Sequence, residues 1–177
     1  MKVQQQIMSP QDIVILLKIV ALGKTPWLQD SLAESLSISQ SEVSKSLMRS
    51  KYAGFLNPDG KQVMKMALME FLQYGIRYVF PQKPGPIVRG IPTSHAATPL
   101  KEMIQSEEAY VWPYSKGTVR GHSIIPLYRS VPEAATKDPL LHQLLSLVDA
   151  LRVGRAREKQ LAIQELEKRI LHGEQNN

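Results

Sequence analysis

Apolar residues recur at three- and four-residue spacing over the first half of the chain, and polar residues fill the positions between them. Ile13, Leu16, Leu17 and Val20 outline a first helix. Ser9 is placed to cap it, Pro10 suits the first helical position, Asp12 lies in the first turn and Gly23 marks the stop. A second helix is predicted over roughly Leu28 to Leu36, with Leu32, Ala33 and Leu36 on one face. "SIS" is the turn that follows. A third helix starts after Ser39, with Glu42 three residues later in a capping-box pattern, and runs to about Ala53 before Gly54. After the turn signal Asn57-Pro58-Asp59-Gly60, the spacing of Val63, Ala67, Leu68, Phe71 and Leu72 predicts a fourth helix over Lys61–Tyr74, ended by Gly75.

From Gly75 to about Pro132 the texture changes to prolines, glycines and short β-branched runs. "IRYVF" and "PIVRGI" flank "PQKPG" and predict a hairpin, "AYVWPY" and "TVRGHSIIPLY" are two further strand candidates, and "SHAATPLKEMI" has room for a helical turn. Asp138 and Pro139 then repeat the cap-plus-proline signal. Leu140, Leu141, Leu144, Leu145, Val148 and Leu151 form a broad apolar stripe, and a last helix follows Gly154 with Leu161, Ile163, Leu166 and Ile170. The fold class is therefore mainly α with a small β component. The expected plan is a helix-turn-helix domain over 1–80, a loop-rich segment with short strands over 81–137, C-terminal helices over 138–172 and a tail over 173–177.

If Leu32, Ala33, Leu36, Ile38, Val43 and Leu47 pack together, the second and third helices cross around a tight turn, with Phe55 and Leu56 sealing the far end. The outer face of the third helix then carries Gln40, Ser41, Ser44, Lys45 and Arg49. Short or flexible donors and acceptors of this kind suit a DNA major groove, which a recognition helix reads mainly through its N-terminal turns.

The pieces "LAESL", "SIS" and "SEVSKSLMRSKYAGFL" resemble the helix-turn-helix of bacterial transcription regulators, most closely the winged-helix kind typified by the MarR family. The resemblance covers roughly residues 9–60. It implies base readout by Gln40, Ser41, Ser44 and Lys45, and phosphate contact by Ser39, Arg49 and Lys51. Glu42 has two competing roles, cap and acceptor from a cytosine amine, and the cap is favoured. The chain departs from the family in two places. Ser37 stands at the turn position that is usually Gly, and the turn after the third helix leads into the predicted fourth helix where the family has its β wing. The wing is then expected in the later hairpin through "PQKPG", with Lys83 and Arg89 on phosphates.

The 177 residues carry a formal net charge of +6 and no cysteine. Disulfides, thiolate metal sites and a cysteine nucleophile are thereby excluded, and the basic balance favours a polyanionic partner. The polar start "MKVQQQIMSPQ" lacks a signal-peptide layout, and the apolar run Ile13–Leu22 is interrupted by Lys18, so a cytoplasmic protein without membrane contact is expected. His95, His122, His142 and His172 show no metal-ligand or catalytic spacing, and no phosphate-binding glycine loop or nucleophile elbow occurs. No metal, cofactor or enzymatic activity is expected. An enzyme would need His95 or His122 to cluster with acids in a pocket. Tyr110, Trp112 and Tyr114 are favoured as strand packing, and Arg152 to Lys159 as a solvated helix start with ion pairs. The expected function is sequence-specific binding of double-stranded DNA by a transcriptional regulator acting as a repressor, paired as a homodimer through the C-terminal helices. The alternative is an antitoxin-like interaction module, autoregulating through its N-terminal domain and binding a partner protein through its C-terminal part. A helical bundle with a merely solvated polar face is the plainest reading of 28–56.

Overall fold

Ile13 to Leu17, five consecutive apolar residues, are each at most 1 % exposed. A helix covered on all sides belongs inside the fold. In the computed structural model, which describes residues 6–173, that helix is α1 (Pro10–Leu22), and it packs on α2 (Gln29–Leu36), α3 (Gln40–Ala53) and α7 (Pro139–Val153). The predicted tail falls mostly on 174–177, outside the described residues. Lys18, the one charge inside the apolar run, reaches the Asp138 carboxylate at 2.6 Å, and Asp138 also caps α7 through the Leu141 N–H. No helix among the described residues is long and apolar enough to cross a membrane.

The first three helices match the periodicity, and Leu32, Ala33, Leu36, Ile38, Val43, Leu47, Phe55 and Leu56 are all buried in one apolar cluster. Ser37 closes α2 at φ 52°, ψ 44°, in the left-handed region that the sequence departure raised. The fourth helix begins later than the spacing predicts. Leu56 and Val63 form an antiparallel bridge, with the Asn57 N–H donating to Gln62 O and the Met64 N–H to Phe55 O, so residues 55–64 make a short hairpin. Asn57 Oδ1 accepts from both the Lys61 and Gln62 N–H groups, and Gly60 turns at φ 71°. Those bonds hold Lys61 and Gln62 in the turn, and α4 starts only at Lys65, running to Tyr74.

"IRYVF" is not a strand. Ile76–Val79 forms a short helix, α5, because Gly75 keeps a right-handed conformation and Ile76 is buried where a helical turn places it. The hairpin expected through "PQKPG" therefore does not form. Instead β1 (Ile87–Thr93) pairs antiparallel with both β2 (Tyr110–Pro113) and β3 (Val119–Ser123), and β2 pairs parallel with β3, closing the three strands on themselves. Gly90 stands opposite Pro113 on one side and Val119 on the other; a Cβ there would lie 1.9 Å from Trp112 O, so only glycine permits the closure. Two 3-10 turns, Ser94–Ala96 and Leu100–Glu102, occupy the stretch where a helical turn is expected. Val131–Lys137 adds a helix, α6, that the reading of 81–137 as loop and strand omits. α8 (Ala156–Ile170) lies against α7.

The apolar stripe of α7 is used up within the chain. Leu141, Leu144, Leu145, Val148 and Leu151 are buried against α1, α5, α6, α8 and β1. They are not a surface on which a second copy can pair, which removes the basis for a dimer through that stripe.

Asp149 joins the sheet to α7. It is 1 % exposed; its Oδ2 accepts from Thr93 Oγ1 and Trp112 Nε1, both at 2.7 Å, and its Oδ1 from Arg152 at 2.8 Å. Burial pushes its carboxyl up, against the pull of Arg152, Thr93 and Trp112 toward the charged form. Arg152 goes on to donate to Phe80 O and Ile125 O. Nearby, His142 donates from Nε2 to Pro92 O, and burial holds its imidazole below the usual histidine range.

Asp149→Asn turns an amide N–H₂ toward either Arg152 or Trp112, neither of which can accept, and leaves Arg152 without its counter-charge. It is expected to lower unfolding free energy by about 3–5 kcal/mol in urea denaturation. Ser37→Gly is expected to raise it by about 0.5–1 kcal/mol, since relief of the left-handed backbone (~1–2 kcal/mol) exceeds the extra chain entropy of glycine. A lowered urea midpoint would show that the αL position carries no strain, since only the entropic cost of glycine would then be left.

Candidate nucleic-acid interface

The outer face of α3 is fixed from beneath by α1. Val43, Ser46, Leu47 and Ser50 point inward. Asp12, wholly buried on α1, takes a two-pronged contact from Arg49, with Nε to Oδ2 at 2.9 Å and Nη2 to Oδ1 at 2.7 Å. The Asp12 carboxylate also accepts from the Ser9 N–H and so caps its own helix. Its contact holds the Arg49 guanidinium above its ordinary value, through the hydrogen bond first and the paired charge second. Arg49 is therefore an internal brace between α1 and α3, not the free phosphate contact that its place on the polar side suggests.

Ser39 caps α3 by accepting from the Glu42 N–H at 3.2 Å. The reciprocal half of the capping box is absent: Glu42 accepts from Gln11 Nε2 at 2.9 Å instead. That hydrogen bond holds the Glu42 carboxyl below its usual range, with Lys45 and Arg49 adding to the effect. Gln11 and Asp12 thus grip the same flank of α3 at successive positions of α1.

Beyond that flank the side chains are open. Gln40, Ser41, Lys45 and Lys51 are exposed and Ser44 is half-exposed, with Lys45 3.8 Å from Glu42. Met48 and Tyr52, 65 % and 77 % exposed, complete a stripe with Ser41 and Lys45 at i, i+4, i+7 and i+11. The sequence carried that signal, because two large apolar residues out of phase with Val43 and Leu47 must face outward.

Lys83 and Arg89 are exposed too, but not on a wing. Lys83 lies in the connection from α5 to β1, and Arg89 sits in β1 opposite Arg120 of β3, in the sheet that packs on α7. The 55–64 hairpin, nearer to α3 in the chain, carries one basic residue, Lys61. Lys61 stands over the Trp27 ring with Nζ 4.5 Å from its centroid, beside a cleft of about 630 Å³ that Lys24 and Lys65 also line and no acid enters. These lysines gather only in three dimensions, which is why the linear pattern does not reveal them.

Two of the four histidines approach acids. His95 Nδ1 comes within 4.0 Å of Glu158 Oε1, and His122 Nε2 within 3.6 Å of Glu108 Oε2. Among the described residues no group of three His, Asp or Glu side chains is arranged to hold a metal ion.

Arg49→Ala strands the buried Asp12 charge and is expected to cost about 3–5 kcal/mol of stability. Lys45→Ala, on the open face, should stay within about 0.5 kcal/mol of the parent. Equal denaturation midpoints for the two variants would remove the distinction between brace and open face. No protein-family model, no curated protein and no solved structure matches this chain.

Proposed function

We propose that this protein is a sequence-specific DNA-binding transcriptional regulator, acting as a repressor, that inserts α3 into the major groove of double-stranded DNA. One observation carries the reading. α3 is braced along one flank by Asp12 and Gln11, while Gln40, Ser41, Ser44 and Lys45 stand open on its first two turns. A rigid helix with free donors and acceptors at its N-terminal end is what direct readout requires. The 55–64 hairpin takes the part of the wing, directly after the recognition helix as in the family that the sequence resembles. Lys51 and Lys61 hold phosphates in place of Arg49, Lys83 and Arg89.

The test is fluorescence anisotropy with a duplex from just upstream of the protein's own gene and a scrambled duplex of equal length, at two salt concentrations. A preference of ~10³-fold or more is expected for the upstream duplex. Lys45→Ala and Gln40→Ala should each cost about 1–3 kcal/mol on that duplex alone. Lys61→Ala should weaken both duplexes alike and flatten the salt slope by about one ion. Equal, salt-labile binding to both duplexes overturns the reading.

An antitoxin-like module remains the second reading, and a separate observation favours it. Met66, Tyr74, Tyr78 and Val79 are 72 %, 67 %, 69 % and 53 % exposed on α4 and α5, a concentration of large apolar side chains that suits a protein partner. A second polypeptide that co-purifies would support this reading. A homodimer in sedimentation equilibrium would assign the patch to self-association instead.

A further inference from the structure

His95, the 104–108 segment, Tyr110 of β2 and the start of α8 line a cavity of about 250 Å³, remote in sequence from α3 and independent of the DNA reading. On its wall His95 is 6 % exposed. Its Nε2 lies 2.7 Å from Glu108 O, and a carbonyl only accepts, so Nε2 carries a proton. In the neutral ring Nδ1 is then a bare acceptor, and it has no hydrogen-bond partner. It faces Glu158 Oε1 at 4.0 Å. The other carboxylate oxygen of Glu158 is occupied by the Arg155 N–H at the start of α8. With the ring neutral, Nδ1 and Oε1 are two acceptors 4.0 Å apart, a pair that one shared donor would satisfy.

The rest of the cavity supplies the opposite chemistry. Arg155 and Arg157 are exposed at its rim, and Tyr110 packs edge-on against His95 with ring centroids 4.6 Å apart. Glu108 also borders the cavity, but its carboxylate is directed to His122. Ser94, immediately before His95, holds φ 56° with its hydroxyl buried and unpartnered. Strain of this kind on a non-glycine residue tends to collect at binding sites.

We propose that this cavity binds a small molecule carrying both an amino group and a carboxylate, of the free amino-acid class. The amino nitrogen sits between His95 Nδ1 and Glu158 Oε1; at about 2.9 Å from each it would subtend roughly 90°, within the reach of a tetrahedral ammonium. The carboxylate lies against the guanidinium of Arg157 or Arg155, the side chains best matched to it. The cavity is smaller than the roughly 300–1,000 Å³ of drug-sized sites, which suits a ligand of this size.

The test titrates the full-length, ¹⁵N-labelled protein with each proteinogenic L-amino acid, and separately with ethylamine and with acetate, following histidine ring nitrogens by long-range ¹H–¹⁵N correlation. At least one amino acid should move the His95 Nδ1 signal with a sub-millimolar Kd, and each half-ligand should bind at least about tenfold more weakly. Glu158→Gln, which keeps an oxygen for the Arg155 N–H, and Arg157→Ala, at an exposed position, should each weaken binding by about tenfold while the His142 signals stay in place. Three results would each overturn the proposal: a His95 ring doubly protonated against Glu158 near neutral pH, no response to any amino acid up to ~10 mM, or acetate binding as tightly as the amino acids.

Discussion

A carboxylate in an apolar interior has to collect donors from whatever packs around it, and Asp149 collects them from three elements. Thr93 comes from β1, Trp112 from β2 and Arg152 from α7 itself. Because Arg152 also carries Phe80 O and Ile125 O, the exit of α5 and the segment after β3 are held to the same point. Apolar residues of equal volume would fill the space without fixing directions. A connected polar group specifies one arrangement, since any slip of the sheet over α7 leaves a buried donor or acceptor unmet. The closed sheet, with only three short strands and little core of its own, depends on that anchorage.

The helices were legible because their signals are local. Ser9-Pro10, Asp138-Pro139, Ser39 and the glycines at 23, 54 and 154 are start and stop marks within a turn of the element they bound. The middle was less legible because its partners are distant. β1 has β-branched residues and reads as a strand, but nothing in its neighbourhood says that it pairs with residues 110–113 and 119–123 rather than with "IRYVF". Ile76–Val79 has good strand propensity and is helical because α4 carries on through Gly75. The hairpin at 55–64 shows the converse case. The turn signal Asn57–Gly60 is legible, but the side-chain bonds of Asn57 that keep Lys61 and Gln62 in the turn and out of α4 are not.

The same limit governs the α3 face. Lys45 and Arg49 are four residues apart, both basic and both on the polar side, yet one is open and the other locked on Asp12. The difference lies in α1, where Gln11 and Asp12 read as unremarkable first-turn residues. A helical wheel orders residues around one axis and carries no information about which neighbour lies beside it. For Met48 and Tyr52 the wheel suffices, because exposure follows from phase alone.

The all-round burial of α1 bears on how the chain can be divided. Its Ile13-to-Leu17 segment is shared between α3 on one side and α7 on another, and Lys18 is tied to the first residue before α7. A fragment ending near residue 80 would keep α3 but bare an oily flank of α1 and orphan Lys18. The minimal unit that presents α3 in its native pose therefore extends through α7, so α1, α3 and α7 are mechanically one piece.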